Sequence, residues 1–232
     1  MKYLNQESIL DHYLPHVILE RLSPYISDTR KKRMDDVVKG RLNSIQLALE
    51  SPSDINNAFA AVRTAEALGI SHVHIISTEK LNVKARSISQ GAIFWVDIHF
   101  HETLTDFLIH IKKQNLLLAG GTVDAIQTLS SVPVEQALCL LMGNERLGLS
   151  EAAQAACDIR YKINMVGMSE SMNLSVSAAI SLYDTSQRKR IQLNQLGDLN
   201  TEAQLKLKAK YYLNGLSPRL VKNLLPTKEI SQ

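Results

Sequence analysis

Short apolar segments without polar alternation recur through the middle of this chain, and helix-forming segments separate them. Six of them are predicted as strands, at residues 44–49, 73–76, 93–98, 116–119, 137–142 and 159–163. A strand that is apolar on both faces lies inside a sheet, and an intervening helix carries the chain back to a parallel neighbour. The alternation therefore predicts an α/β fold, with a mostly parallel sheet that helices cover on both faces.

Helical periodicity continues at both ends of the chain. Helices are predicted between the strands near 56–68, 84–90, 103–113 and 150–156, and a long one at about 173–190. At the ends they are predicted at 4–22, interrupted by Pro15, at 28–39, and once or twice within 201–224. We therefore expect a basic helical arm at 1–43, a central domain at 44–190 and a basic helical extension at 191–232.

Charge is distributed unevenly between the centre and the two ends. Residues 42–187 hold 9 Lys and Arg against 14 Asp and Glu, whereas the flanks hold 17 against 9. Basic ends around an acidic centre are typical of a protein whose appendages hold a polyanion, although a solvated helix face explains any single run. The side chains expected to contact RNA are Arg30, Lys31, Lys32, Arg33, Arg41, Arg188, Lys189 and Arg190.

Several classes of protein are excluded by what the sequence lacks. No apolar run approaches the roughly 20 residues of a membrane-spanning helix, and the N-terminus lacks a signal-peptide pattern. The two cysteines form neither a disulfide framework nor a metal motif. Two HxH pairs, His72 with His74 and His99 with His101, are expected to be half-exposed strand residues, because no further metal ligand is placed beside them. We expect a cytoplasmic protein without membrane or metal partners.

Three polar segments follow predicted strands, at the edge where open α/β sheets bind ligands. The first runs from Asn57 to Arg63 on an Ala-rich helix that should pack closely; the second is G-N-E-R-L-G at 143–148; the third is S-M-N-L-S at 171–175. The first glycine of the second segment would let a ligand lie against the main chain. Each segment alone has an ordinary explanation, namely a surface arginine, a tight turn and a helix cap. Together they predict a ligand site.

In this order and spacing, the three segments resemble the motifs of the SpoU (TrmH) family of SPOUT-class RNA 2′-O-ribose methyltransferases, over about residues 44–190. Ile55 and Asn56 depart from the Pro and His that often accompany the first motif, and the third has Met and Leu where Leu and Val are common. The resemblance implies S-adenosylmethionine as cofactor, and a homodimer that completes the active site at its interface. It also implies a deep C-terminal trefoil knot at about 140–190, which periodicity does not predict.

The resemblance also implies roles for individual residues. Backbone groups at Gly120, Gly143, Ile163 and Met172 would hold the cofactor. Arg63 would polarise the ribose hydroxyl or stabilise the developing alkoxide, with an RNA phosphate as a proton acceptor.

The remaining motif residues would support that chemistry. Asn57 would orient Arg63 or the phosphate, and Glu145 would hold its loop or pair with Arg63. Ser171 and Asn173 would position the ribose and shape the cofactor loop.

The basic helical arm and tail resemble those of the tRNA-modifying enzymes of this family, and this resemblance implies 2′-O-methylation of guanosine 18 in the tRNA D-loop. A ribosomal-RNA methyltransferase of the same family is the alternative, although those enzymes often carry a compact N-terminal α/β domain where this chain is helical. The motifs are also compatible with an RNA-binding relative without catalysis and with an S-adenosylmethionine sensor. The five motif residues argue against the RNA-binding relative, and the basic flanks argue against the sensor.

Overall fold

The computed structural model describes residues 6–78 and 91–226, which form two compact units. The larger unit is Arg41–Asp198, and the smaller combines the described parts of Met1–Gly40 and Leu199–Gln232. The helix predicted at 84–90 lies outside the described residues. Within the described ranges, no helix is long and apolar enough to cross a membrane.

The larger unit is built on a sheet of seven strands within the described residues. These strands are β1 Ile45–Glu50, β2 His72–Ile76, β3 Asp97–His101, β4 Leu117–Gly121, β5 Gln127–Thr128, β6 Leu138–Met142 and β7 Ile159–Lys162. Their order is β3-β2-β1-β6-β4-β7-β5, and every neighbouring pair is parallel. The predicted parallel α/β sheet is confirmed, and the trefoil knot stays a prediction.

Nine helices are described in the two units together. They are α1 Gln6–His12, α2 Pro15–Leu22, α3 Asp28–Lys39, α4 Ile55–Ala67, α5 Leu104–Lys113, α6 Glu151–Ala156, α7 Leu174–Leu193, α8 Thr201–Gly215 and α9 Pro218–Leu224. In the larger unit, α4 and α7 pack on one face of the sheet, whereas α5 and α6 pack on the other. Helices thus cover both faces, as the apolar strands require.

Close packing of the Ala-rich helix is confirmed. Ala58, Ala61 and Ala65 on α4 are fully buried, and α4 lies against α7, where Ala178 is also buried. Small side chains let two helices approach each other and the sheet together. This packing fixes α4 and its motif residues relative to the strand ends.

The helices of the smaller unit begin and end where the sequence predicts. Pro15 occupies the first turn of α2, where a missing backbone N–H is tolerated. Ser27 caps α3 by accepting a hydrogen bond from the Arg30 amide, and Gly40 follows its last turn. Both α2 and α3 pack against α8.

The strand predicted at 93–98 is wrong in position. Residues Ala92–Phe94 form a 3₁₀ turn after Gly91, whose φ of 85° is in the left-handed region, and the strand begins only at Asp97. Ile93 packs against the core from this turn. The apolar run therefore reflects a packed turn, and the polar histidines of β3 concealed the true strand.

Five histidines lie together between the β2–β3 edge and α5. We call His72, His74, His99, His101 and His110 the histidine cluster. His74 is 0% exposed and His101 is 9% exposed, so the expectation of half-exposed positions is wrong for these two. The rings pack at centroid separations of 4.8 to 5.4 Å. Among the described residues, no group of His, Cys, Asp or Glu is arranged to hold a metal ion.

Candidate active site

The carboxyl ends of β1, β6 and β7 bring the three predicted polar segments to one edge of the sheet. The loop after β1 leads into α4, the loop after β6 contains the second motif, and the loop after β7 leads into α7. Parallel strands place these connections side by side. The edge is therefore where the sequence predicts a ligand site.

Glu145 holds the β1 loop through its carboxylate. Its Oε2 accepts from the Ser53 amide at 2.8 Å and from the Ser53 hydroxyl at 2.6 Å, and its Oε1 accepts from Asn57 Nδ2 at 3.1 Å. Burial would raise the pKa of Glu145, but these hydrogen bonds outweigh burial and lower the pKa to about 2. The carboxylate is therefore ionised at neutral pH and acts as an anchor. Arg63 is not one of its partners.

Asn57 joins the first motif to the third. Its Oδ1 accepts a hydrogen bond from Asn173 Nδ2 at 3.0 Å, while its amide donates to Glu145. Asn173 in turn caps α7, because its Oδ1 accepts from the Ser175 amide at 2.9 Å. One chain of hydrogen bonds thus links Glu145, Asn57 and Asn173.

Both glycines of the second motif are required by the loop itself. Asn144 and Gly148 exchange two backbone hydrogen bonds of 2.9 Å, and Gly148 has a φ of 69°. A Cβ on Gly143 would overlap the backbone of Gly148 and Leu149. This close approach of two chain segments is enough to require glycine at position 143, and a ligand contact at its main chain stays a prediction.

A cavity of about 340 Å³ opens beside this network, within the larger unit. Among the predicted residues, its wall includes Gly143, Glu145, Ile163, Ser171 and Met172. The main-chain groups of residues 164–172 make no hydrogen bond with the described residues, so they are available to a ligand. The cavity and these groups together can hold a small molecule.

Gly120 is not among the residues that line the cavity, and a cofactor contact through its backbone stays a prediction. It is buried, and a Cβ there would lie 2.6 Å from Cys157 Sγ and 2.9 Å from Leu149 Cδ1. The neighbouring Gly121 lines the cavity instead. Because side chains alternate along a strand, a shift of one residue exchanges the packed face for the open one.

Arg63 lies outside the cavity wall of its own chain. It is exposed on α4 and is not among the residues that line the cavity. Arg63 lies six positions after Asn57, so the two side chains leave different faces of the helix. The structure does not bring Arg63 together with Glu145, Asn57 and Asn173.

Comparison with known proteins agrees with this arrangement. Residues 44–183 match the model of the SpoU rRNA Methylase family. The chain belongs to this family. It is 30% identical over 166 residues to the tRNA (guanosine(18)-2′-O)-methyltransferase of Escherichia coli K12, covering 71% of this chain and 72% of that protein. It is 31% identical over 173 residues to a 23S rRNA (guanosine-2′-O-)-methyltransferase of Nitrosomonas europaea, covering 71% and 66%.

Solved structures of the SpoU family share the fold. The A. aeolicus TrmH/SpoU tRNA modifying enzyme superposes with a TM-score of 0.72 at 25% identity, over 82% of this chain and 98% of that one. The SpoU methyltransferase AviRb from Streptomyces viridochromogenes, solved with its cofactor AdoMet, gives a TM-score of 0.61 at 23% identity, over 68% and 64%. The second likeness concerns the fold alone.

Two basic residues predicted to contact RNA are buried in this SpoU-family fold. Arg41 is 0% exposed and donates to the Glu66 carboxylate at 2.8 Å and to the Ile70 carbonyl at 3.1 Å. Lys189 is 4% exposed, and its ammonium donates to the carbonyl of Val134 at 2.7 Å. Both cations satisfy groups of the fold, so their assignment as RNA contacts is wrong.

The remaining predicted RNA contacts divide into two groups. Arg188 donates to Asp184 and to two carbonyls, and Arg190 donates to the carbonyls of Leu68 and Leu196, so both guanidinium groups serve the fold. On α3, the side chains of Arg30, Lys32 and Arg33 are exposed and that of Lys31 is half-buried beside Asp28. These four stay a prediction.

Sequence reasoning missed part of the cavity wall. Gly121 and Thr122 come just after the strand predicted at 116–119, so their position at the end of a strand could have identified them as residues of the cavity wall. Tyr161 and Ser181 gave none, because each is an unremarkable member of a strand or helix until its face is known.

Proposed function

We propose that this protein transfers the methyl group of S-adenosylmethionine to the 2′-oxygen of guanosine 18 in tRNA. The observation that carries the proposal is the hydrogen-bond chain Glu145–Asn57–Asn173, which joins all three motifs beside a cavity at the carboxyl edge of the sheet. The guanosine-18 enzymes among its relatives match it over most of its length. A tRNA substrate implies a cytoplasmic enzyme.

The cavity residues fit this cofactor. Main-chain groups of the 164–172 loop are unpaired, and backbone atoms at Gly143, Ile163 and Met172 would hold the ligand beside them. The ionised Glu145 lines the same cavity, as does Glu170, and its carboxylate suits a ligand that carries positive charge. The bound cofactor supplies an electrophilic methyl group.

Arg63 provides the cationic group for the ribose. The O2′–H bond breaks as the oxygen–methyl bond forms, the proton passes to an RNA phosphate, and the sulfur keeps the electrons of the broken carbon–sulfur bond. A guanidinium is always protonated, so Arg63 donates hydrogen bonds to the hydroxyl oxygen and stabilises its developing charge. Ser171, in the cavity wall, would position the ribose.

A second copy of this chain completes the site. The exposed apolar residues Val176, Ile180, Tyr183 and Ile191 lie on one face of α7, at helical spacing. A homodimer would cover this stripe. Because Arg63 lies outside the wall of its own cavity, it would serve the cavity of the partner.

Exposed cations on the smaller unit would hold the tRNA body. They extend over three helices, with Lys32, Arg33 and Lys39 on α3, Lys206 on α8, and Arg219 and Lys222 on α9. Phosphate contacts of this kind supply affinity without sequence readout. These residues replace the buried Arg41 and Lys189 as the expected contacts.

The deciding experiment is transfer of labelled methyl groups from S-adenosylmethionine to unmodified tRNA transcripts, with the modified nucleotide mapped. The matched control is the same transcript with adenosine at position 18. Label at guanosine 18 that disappears in the control is the expected result. Transfer to ribosomal RNA alone would favour the alternative that the 23S rRNA relative represents, and cofactor binding without any transfer would favour a non-catalytic protein.

A further inference from the structure

The wall of the cavity contains a single cationic side chain, that of Arg146, which is exposed. The acidic members of the same wall are Glu145 and Glu170. The ion pairs found between residues 6–78 and 91–226 are formed by other cations, namely Lys31, Arg41, Arg160, Arg188 and Lys208. The guanidinium of Arg146 is therefore the positive charge that the cavity offers to a ligand.

A hydrogen-bonded turn presents this arginine. Asn144 Oδ1 accepts from the amides of Arg146 at 2.9 Å and Leu147 at 3.2 Å. Asn144 Nδ2 donates to the Ser51 carbonyl at 2.7 Å, which ties the turn to the loop after β1. Together with the two backbone hydrogen bonds between Asn144 and Gly148, these contacts fix the backbone of residue 146 beside the cavity. A ligand of Arg146 then has to order only its side chain, which reduces the entropic cost of binding.

The charge of the cavity calls for such a cation when RNA is bound. The ionised Glu145 suits the positively charged cofactor, but it repels the phosphates on either side of a target ribose. A guanidinium in the same wall offsets this repulsion, and its planar donors match two oxygens of one phosphate. Arg63 does not fill this role, because the proposed reaction uses it at the ribose hydroxyl.

We infer that Arg146 binds one of the two phosphates that flank guanosine 18 and thereby positions the ribose for transfer. This inference rests on the proposed function and adds a substrate contact within the cavity wall. The phosphate that Arg146 binds is not the proton acceptor, because a bound guanidinium disfavours protonation of its anionic partner. The proton of the 2′-hydroxyl therefore passes to a different phosphate.

The test compares R146A and R146K with the wild type, in methyl transfer to tRNA and in binding of S-adenosylhomocysteine without RNA. K113A is the matched control, because Lys113 is an exposed cation at the end of α5, just before β4 begins at the opposite edge of the sheet. We expect the KM for tRNA to rise about tenfold in R146A, as for one lost hydrogen bond to a charged group, with partial recovery in R146K. The Kd for S-adenosylhomocysteine and the unliganded Tm should stay unchanged in R146A, and K113A should match the wild type throughout.

Transcripts with a single neutral methylphosphonate identify the phosphate. Replacement on one side of guanosine 18 should raise the KM of the wild type and of K113A about tenfold and leave the KM of R146A unchanged, because that variant has already lost the contact. A wild-type KM in R146A, or replacement effects of equal size in R146A and the wild type, would overturn the inference. A raised Kd for S-adenosylhomocysteine in R146A would also overturn it and assign the guanidinium to the cofactor. Absence of transfer to tRNA by the wild type would instead overturn the proposed function together with the inference.

Discussion

Asn173 Nδ2 donates to Asn57 Oδ1 at 3.0 Å, across 116 residues of sequence. The bond ties the start of α7 to the start of α4, and Asn57 passes the connection on to the carboxylate of Glu145. Side-chain networks of this kind stabilise more than their separate bonds suggest, because each member fixes the orientation of the next.

Removal of either asparagine should therefore loosen the same network. We expect N57A and N173A each to lower the free energy of unfolding by about 1–2 kcal/mol, and the double variant to lower it by less than their sum. Urea unfolding at pH 7 measures all three, with N56A as the control, since Asn56 is exposed and bonds only with Asp54. Fully additive losses would show that the network is not a unit.

Arg63 should be needed for transfer and not for cofactor binding. It is exposed and lies outside the cavity wall, so R63A should reduce methyl transfer at least about 100-fold while the Kd for S-adenosylhomocysteine stays within twofold. R63K should recover only part of the rate, because a lysine lacks the planar fork. Isothermal titration and single-turnover transfer separate the two effects.

Mixed dimers test whether Arg63 acts across the interface of the proposed homodimer. S177F places a ring in the cavity and should abolish binding, and R63A should abolish transfer, so neither homodimer is active. In an equal mixture, half of the dimers are mixed and each has one complete site, so about a quarter of wild-type activity should return. No recovery in a mixture shown to contain mixed dimers would place Arg63 in the site of its own chain.

The sequence predicts the sheet and the three motifs well because these depend on local pattern. Apolar strands without alternation have one common arrangement, and motif residues follow strands whose ends share an edge. The sequence-based prediction of RNA contacts is wrong for Arg41 and Lys189, because charge composition does not tell which side chain points inward. Helical spacing did carry a signal for Lys189, which follows the buried Leu182 and Thr185 on α7 by seven and four residues.

The roles of the glycines are also difficult to predict from the sequence, because they depend on how the backbone is arranged in space. Gly143 is needed because the chain returns against it at Gly148, and a sequence does not show such a return. Gly120 and Gly121 are adjacent, and only the strand's orientation decides which one faces the cavity.

Exposed and buried cations should separate in their effect on tRNA binding. K32A/R33A should reduce the slope of log Kd against log salt by about 1–2, since each lost phosphate contact removes about 0.7–0.9. K189M should leave that slope unchanged and instead lower the free energy of unfolding, because its ammonium holds the carbonyls of Val134 and Glu135. Filter binding over a salt series, with unfolding measured in parallel, checks both. An altered slope in K189M would restore it as an RNA contact.

Acid should destabilise the larger unit through the histidine cluster. Burial and the neighbouring histidines lower the pKa of His74 to about 2, and burial with His72 lowers the pKa of His99 to about 4 despite the opposing effect of Asp97. Burial and His110 also lower the pKa of His101, against the effect of Asp106.

The sign follows from the protons that each state binds. The pKa values of these histidines in the folded state lie below the unfolded value of about 6.5, so the unfolded chain binds more protons in acid. Their contribution to the free energy of unfolding is therefore complete above about pH 6.5 and falls as the pH drops below it. His74 alone should lower the free energy of unfolding by about 2 kcal/mol between pH 7 and pH 5. Urea unfolding across this range should show a smaller pH slope in H74Q than in the wild type, whereas H16Q, at an exposed position on α2, should keep the wild-type slope. Equal slopes in H74Q and the wild type would show that His74 is not the source of the pH dependence of stability.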